Sequence, residues 1–167
     1  MCERYTRKEE EKEMTIPLDP KIQELLALPA VSQIGMVVRD LQRAVDFHTQ
    51  VLKIGPFKIF EPLYTDQTYR GKPGNFLMRI AIAPMGPVDL EIIQVLRGET
   101  LHGEFLKAHG EGIHHLGFVI QDLAGRIAAC KKMGIEVIQS GKRPGVDWVY
   151  IDTESLAGYP IELIERS

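Results

Sequence analysis

The sequence predicts an α+β fold in which two tandem βαβββ modules join their sheets into one curved mixed sheet with a concave cleft. Three observations predict it. First, Gln33-Ile-Gly-Met-Val-Val38 followed by Arg39-Asp40-Leu41 returns as His115-Leu-Gly-Phe-Val-Ile120 followed by Gln121-Asp122-Leu123, 82 residues on in each case (33 to 115, 40 to 122). Second, the closing strands correspond, Leu90-Glu91-Ile92-Ile93-Gln94 against Ile161-Glu162-Leu163-Ile164-Glu165. Third, each module has one helix, which covers only one face of its strands. An internal repeat of this kind means two copies of one supersecondary unit, and two such sheets side by side leave a shared uncovered face.

Composition agrees with one ordinary domain. The chain has 167 residues, 44% hydrophobic and 26% charged, the balance of a folded globular protein. Its 20 Lys and Arg against 23 Asp and Glu give a net charge of −3, without the basic excess of a nucleic-acid binder. Cys2 and Cys130 stand far apart, with no CxxC or Cys/His zinc spacing, so a reducing cytoplasm is the expected location. No apolar run approaches the roughly 20 residues that span a bilayer. The charged N-terminus lacks the apolar core of a signal peptide.

In order, residues 1–31 read as a charged arm (1–15) and a short helix, Lys21 to Leu28, opened by Asp19-Pro20 and stopped by Pro29. Its apolar stripe of Ile22, Leu25 and Leu26 needs a surface to cover, on the main domain or on a partner subunit. Residues 32–167 form a single domain: module one at 32–96, a linker helix at 97–111 and module two at 112–167. In module one, strand 33–38 leads to the N-cap Asp40 and a helix with Leu41, Ala44, Val45, Phe47, His48, Val51 and Leu52 at helical spacing. A strand at 55–60, a polar loop at 61–75 and strands at 76–83 and 88–95 complete it, with a turn at Met85-Gly86-Pro87. Module two repeats the plan, with strand 115–120, a helix after Asp122, strand 135–138, a Gly/Pro loop at 140–145, and strands at 148–152 and 160–165.

Polar residues interrupt these strands at matching places. Gln33 and His115 open the first strand of each module, and Glu91 and Glu162 lie within the last. In a joined sheet the four converge in the cleft. One imidazole, two carboxylates and an amide oxygen suit one divalent ion, Zn²⁺, Co²⁺, Ni²⁺ or Mn²⁺, which makes the concave cleft a metal-binding one. Singly, each residue reads as an ordinary strand-end or surface side chain. A carboxylate among Leu90, Ile92 and Ile93 costs several kcal/mol to bury unpaired, and a bound cation offsets that cost. His48 and His102 have no counterpart in the repeat and read as surface or core residues.

These segments, with Gly110-Glu-Gly-Ile-His-His-Leu-Gly-Phe and Pro160-Ile-Glu-Leu-Ile-Glu, resemble the vicinal oxygen chelate superfamily over residues 32–166. That superfamily includes glyoxalase I, methylmalonyl-CoA epimerases, extradiol dioxygenases and bleomycin resistance proteins. The resemblance implies that Gln33, Glu91, His115 and Glu162 are metal ligands. His115 is preferred over His114 because it stands where Gln33 stands before the following Ile/Leu-Gly. It also implies a small-molecule carbonyl or thioester substrate and proton abstraction beside a metal-held carbonyl, with Glu162 as base and Glu91 as second choice; the paired modules and the apolar stripe of the 21–28 helix suggest a homodimer. An epimerase reading leads. A lactoylglutathione lyase of the glyoxalase I type comes next, and a non-enzymatic binding protein of the bleomycin-resistance type third. Gln33 in place of a histidine disfavours the dioxygenases. The sequence departs from the epimerases near Asn75, where they carry a glutamate. Asn75, Arg79, Lys142, Arg143, Trp148 and Tyr150 are the candidate substrate contacts, the last four flanking the 140–145 loop, which in the family closes over substrate. Tyr64, Tyr69, Arg70 and Lys72 in the 61–75 loop are candidates to shape the cleft mouth.

Overall fold

The computed structural model describes residues 19–167, so the charge run at 1–15 lies outside the described residues. An aspartate starts each of three helices by accepting a backbone amide that the first turn leaves without a partner. Asp19 accepts from Lys21 N at 2.8 Å and opens α1 (Pro20–Leu26). Asp40 accepts from Arg43 N at 3.0 Å for α2 (Leu41–Gln50), and Asp122 from Gly125 N at 3.0 Å for α4 (Leu123–Lys132). Thr100 caps the linker helix α3 (Leu101–Ala108) in the same way. A further single turn, α5 (Glu154–Ala157), which the sequence did not predict, ends at Gly158 in the left-handed region. No helix among the described residues is long and apolar enough to cross a membrane.

The strands are β1 (Gln33–Val37), β2 (Lys58–Phe60), β3 (Thr65–Tyr69), β4 (Lys72–Pro73), β5 (Leu77–Met85), β6 (Val88–Arg97), β7 (Gly112–Ile120), β8 (Val137–Arg143), β9 (Val146–Ile151) and β10 (Ile161–Arg166). They form one ten-stranded sheet in the order β2-β5-β6-β1-β7-β10-β9-β8-β3-β4, curled into a half-barrel. Within each repeat the opening strand lies parallel to the closing one, β1 to β6 and β7 to β10. The two repeats meet where β1 and β7 run antiparallel at the centre of the sheet.

Strand alternation divides the apolar side chains between two faces. On the helix-covered face, Leu41 and Val45 of α2 pack with Val38, Leu90 and Ile92, and Leu123 and Cys130 of α4 with Phe118, Ile120 and Leu163. The other face buries Phe76, Met78, Ile80, Ile93, Trp148, Tyr150 and Ile164 together with Leu101 of α3. The helix α1 covers its stripe against its own domain: Leu26 packs beneath α4, and Arg126 Nη1 donates to Leu25 O at 2.8 Å and Ala27 O at 2.9 Å.

Two stretches read as loops are strands. Residues 61–75 contain β3 and β4, which cross to the far edge of the sheet, where β3 pairs with β8 and β4 with β3. Their hairpin turns at Arg70 (φ 46°) and Gly71 (φ 73°), the left-handed pair that a two-residue turn requires. Residues 140–143 continue β8, and only Pro144-Gly145 turn the chain into β9. Gly141 belongs to this strand because it faces Trp148; a Cβ there would lie 2.6 Å from Trp148 Cζ2.

Candidate metal centre

Two glycines make the centre possible. Gly35 pairs across the sheet with both Glu91 and His115, and Gly117 with both Gln33 and Glu162. Residues opposite one another in a sheet share a face, so the four polar side chains form two short rows, each interrupted by a glycine. The space left by that glycine is what the neighbouring side chain occupies. A Cβ on Gly35 would lie 1.8 Å from His115 Cε1, and one on Gly117 would lie 2.7 Å from Gln33 Cγ.

The four side chains meet. Gln33 Nε2 donates to Glu91 Oε2 at 2.9 Å and to Glu162 Oε2 at 2.8 Å. His115 Nε2 stands 3.5 Å from Glu91 Oε2 and 3.4 Å from Glu162 Oε2. All are buried: His115 at 0% exposure, Gln33 at 5%, Glu162 at 6% and Glu91 at 7%. Burial disfavours a charged His115, yet the Glu162 and Glu91 carboxylates outweigh burial and push its pKa up to about 9. Burial and the adjacent Glu91 charge push Glu162 above the usual carboxylate range, against the pull of His115.

The donor set fits a divalent ion. Ligand atoms of Glu91, His115 and Glu162 lie within 4.8 Å of one another, and two buried carboxylates share one small space. The Gln33 amide reaches the same point, and its oxygen and nitrogen exchange by rotation of the terminal amide. With no thiolate present, the set suits Zn²⁺, Co²⁺, Ni²⁺ or Mn²⁺.

A cleft of about 50 Å³ opens onto Gln33, Glu91 and Glu162, walled by Phe60, Tyr64, Ile80, Ile82 and Trp148, with Arg143 among its lining residues. Tyr64 arrives on the segment between β2 and β3 and packs edge-on against Trp148, ring centroids 5.1 Å apart. Burial raises the Tyr64 pKa, and the charges of Glu91 and Glu162 raise it further. Tyr150 sits deeper: its hydroxyl is 3.3 Å from His115 Nε2 and 3.2 Å from His102 Nε2.

The remaining candidates lie elsewhere, Lys142 and Arg79 for reasons of strand parity. Lys142 points away from its neighbour Arg143 and pairs with Asp147 at 3.1 Å on the opposite face. Arg79 alternates with the inward Met78 and Ile80, and its Nε donates to Glu61 at 2.7 Å. Asn75 accepts from Arg97 Nη2 at 3.2 Å and lines a separate depression. Tyr69 and Arg70 both bond Glu104 of α3, whereas Lys72 is an exposed end of β4.

Sequence reasoning missed a second group behind the first. His102, His114 and His115 also bring ligand-type nitrogens within 4.8 Å of one another. His114 is the extra residue of a β-bulge, since Gly35 pairs with His115 but Met36 with Ile113. The doubled histidine was the available signal; nothing in the repeat marks His102, which reaches the site from α3.

The sequence profile of the "Glyoxalase/Bleomycin resistance protein/Dioxygenase superfamily" matches residues 32–151. An uncharacterised protein of Bacillus subtilis (strain 168), YqjC, is 24% identical over 138 residues, 81% of this chain and 91% of that protein. The methylmalonyl-CoA epimerase of Mycobacterium tuberculosis superposes with a TM-score of 0.64 at 19% identity, covering 84% of this chain and 89% of that one. A methylmalonyl-CoA epimerase in complex with methylmalonyl-CoA and NH4+ gives 0.65 at 21%, covering 84% and 96%. At these identities the superpositions speak for the fold, and the profile match over most of the chain speaks for the family. With its paired modules and shared central cleft, this chain belongs to the glyoxalase/bleomycin resistance protein/dioxygenase superfamily.

Proposed function

We propose that this chain is a divalent-metal-dependent isomerase that removes the proton beside a chelated carbonyl, in the manner of a methylmalonyl-CoA epimerase. The observation that carries the reading is the convergence of Gln33, Glu91, His115 and Glu162 at the floor of one cleft. Gln33 Oε1, His115 Nε2 and one oxygen from each glutamate would hold the ion. When bound, a Zn²⁺, Co²⁺, Ni²⁺ or Mn²⁺ ion supplies Lewis-acid polarisation of the substrate carbonyl.

The chain's own residues then move the proton. Glu162, whose carboxyl burial already makes more basic, takes the proton from the carbon next to the carbonyl. The electron pair passes into the carbonyl as an enolate, and Glu91 serves as the second acid-base group. Delivery of a proton from the Glu91 carboxyl to the opposite face of that carbon inverts its configuration, and the proton held by Glu162 then passes to solvent to reset the pair. Glu91 and Glu162 are the two carboxylates among the cleft's lining residues; Asn75 and its surroundings contribute none. Arg143 at the cleft is placed to pair with an anionic group of the substrate, and Trp148 supplies an apolar wall. With room for about 50 Å³, the cleft takes the reacting end of a thioester while the bulk of the molecule lies outside.

One observation favours a second reading. Because the acid-base groups are the ligands themselves, the same centre suits a lactoylglutathione lyase acting on a glutathione hemithioacetal. A binding-only protein leaves two buried carboxylates without a purpose.

The test is exchange of the substrate's α-proton in D2O, followed by NMR with methylmalonyl-CoA and with the hemithioacetal of methylglyoxal and glutathione. Protein purified without chelator is expected to carry near one equivalent of divalent metal. Glu162→Gln is expected to keep that metal and lose exchange by about 100- to 10,000-fold, the usual worth of a general base. Full exchange in the variant with metal retained would overturn the role of Glu162.

A further inference from the structure

We infer that His114 is a positioning residue for the metal centre: its Nδ1 accepts the Nδ1–H of His115 and so fixes which nitrogen of His115 faces the ion. The inference rests on the metal reading above and adds a residue outside the ligand set. A histidine that binds metal through Nε2 carries its proton on Nδ1, and that N–H needs an acceptor if the ring is buried. His115 is at 0% exposure, and His114 Nδ1 stands 3.0 Å from its Nδ1. Among the described residues, no other acceptor lies within hydrogen-bond reach of that nitrogen.

Adjacent residues of a regular strand point to opposite faces, so this contact needs an explanation, and the β-bulge supplies it. At a bulge two residues of one strand oppose one of the other, which re-aims a side chain. Here Ile113 pairs with Met36 and His115 with Gly35, leaving His114 as the extra residue. The ring it brings round is then held on two sides. The His102 ring lies 4.7 Å away, and Phe105 of α3 packs edge-on at 5.2 Å. Module one has no equivalent, and needs none: the residue before Gln33 is Ser32, whose hydroxyl bonds Gly117 O and Val119 N, and an amide ligand has no tautomer to set.

The test compares substitutions that keep or move the acceptor. Asparagine places its Oδ1 where His114 has Nδ1; glutamine places its polar end near the position of Nε2; leucine has neither. Co²⁺ is titrated into chelator-treated protein and followed by its visible absorption, with thermal unfolding of the metal-free protein recorded in parallel. His114→Asn is expected to bind within about threefold of wild type, whereas His114→Gln and His114→Leu lose about 10- to 100-fold, the range for an outer-shell partner. This order separates orientation from packing, because in metal-free protein the polar asparagine should not be the least harmful of the three. If His114→Leu does not fold, the asparagine and glutamine variants decide the matter between them. Equal affinity in all variants would overturn the inference, and so would equal loss in the asparagine and glutamine variants. Wild-type protein that binds no Co²⁺ would instead overturn the metal reading itself, and this inference with it.

Discussion

The two modules share a scaffold and differ in what they hang on it. The first strand of each carries a ligand-type residue, then an apolar residue, then a glycine, although β7 begins three residues before His115. Each closes with a strand whose side chain holds the first helical amide, Gln94 for Leu41 N and Glu165 for Leu123 N, both at 3.1 Å. Module one contributes an amide and a neutral, unbulged strand; module two contributes an imidazole, a bulge and a second histidine behind it. Repeated backbone devices thus place four side chains on one face, while unequal side chains give that face its chemistry.

The largest expected effect comes from filling the two glycine spaces, and it should be unequal. At Gly35 a methyl group would meet the His115 ring, which His114 holds at Nδ1. At Gly117 it would meet the stem of Gln33, a flexible chain that can turn aside. Gly35→Ala is therefore expected to abolish metal binding and to cost about 1–3 kcal/mol of stability in chelator, the usual price of overpacking. Gly117→Ala should retain a weakened site. Metal titration and urea unfolding of both variants check this, and equal losses at the two positions would mean that His115 is not rigidly held.

An intermediate effect concerns protons. Gln33 carries no charge, whereas His115 is a titrating imidazole. Its pKa in the folded, metal-free protein stands at about 9, above the ordinary 6.5, so folding favours the protonated ring. That contribution is complete below pH 6.5 and is lost as pH rises through 9, on the order of 3 kcal/mol at most. Metal-free protein should accordingly lose stability between pH 6.5 and 9, and metal binding near pH 7.5 should release a proton to the buffer. His115→Gln, which makes the two modules alike at this position, should flatten the slope. A steady slope in that variant would assign the effect to another group.

Much of this centre was legible because the repeat is written locally. Residues 33, 91, 115 and 162 stand at matching places in strands whose β-branched runs and caps are strong short-range signals, so their convergence followed from symmetry. The reading failed where partners are distant or where parity decides. β3 pairs with β8, some 70 residues on (Thr68 with Ser140), and no local pattern announces such a partner. Reading 140–145 as a loop also lost the alternation that sends Arg143 into the cleft and Lys142 out. Arg79 lay in a stretch read as a strand, and its face was assigned only once β5 was aligned with Ile80 and Ile82 inward. The bulge at His114 is invisible to periodicity, because it is a break in the period.

The smallest effect tests the other inequality between the modules. Where module two turns in Pro144-Gly145, module one inserts β3 and β4, carrying Tyr64 across the cleft and tying Tyr69 and Arg70 to Glu104 of α3. Arg70 and Glu104 are 50% and 40% exposed, so solvent screens the pair and Arg70→Ala should cost no more than about 0.5 kcal/mol. Its consequence for the cleft can still be measured. Trp148 is the chain's one tryptophan, and Tyr64 packs against it. If Arg70 latches the inserted hairpin, its loss should raise acrylamide quenching of Trp148 while leaving the unfolding midpoint almost unmoved. Unchanged quenching would mean that pairing with β8 alone holds the hairpin in place. The ion pair would then be a surface contact, and closure of the cleft would depend on Tyr64 packing against Trp148 and Phe76.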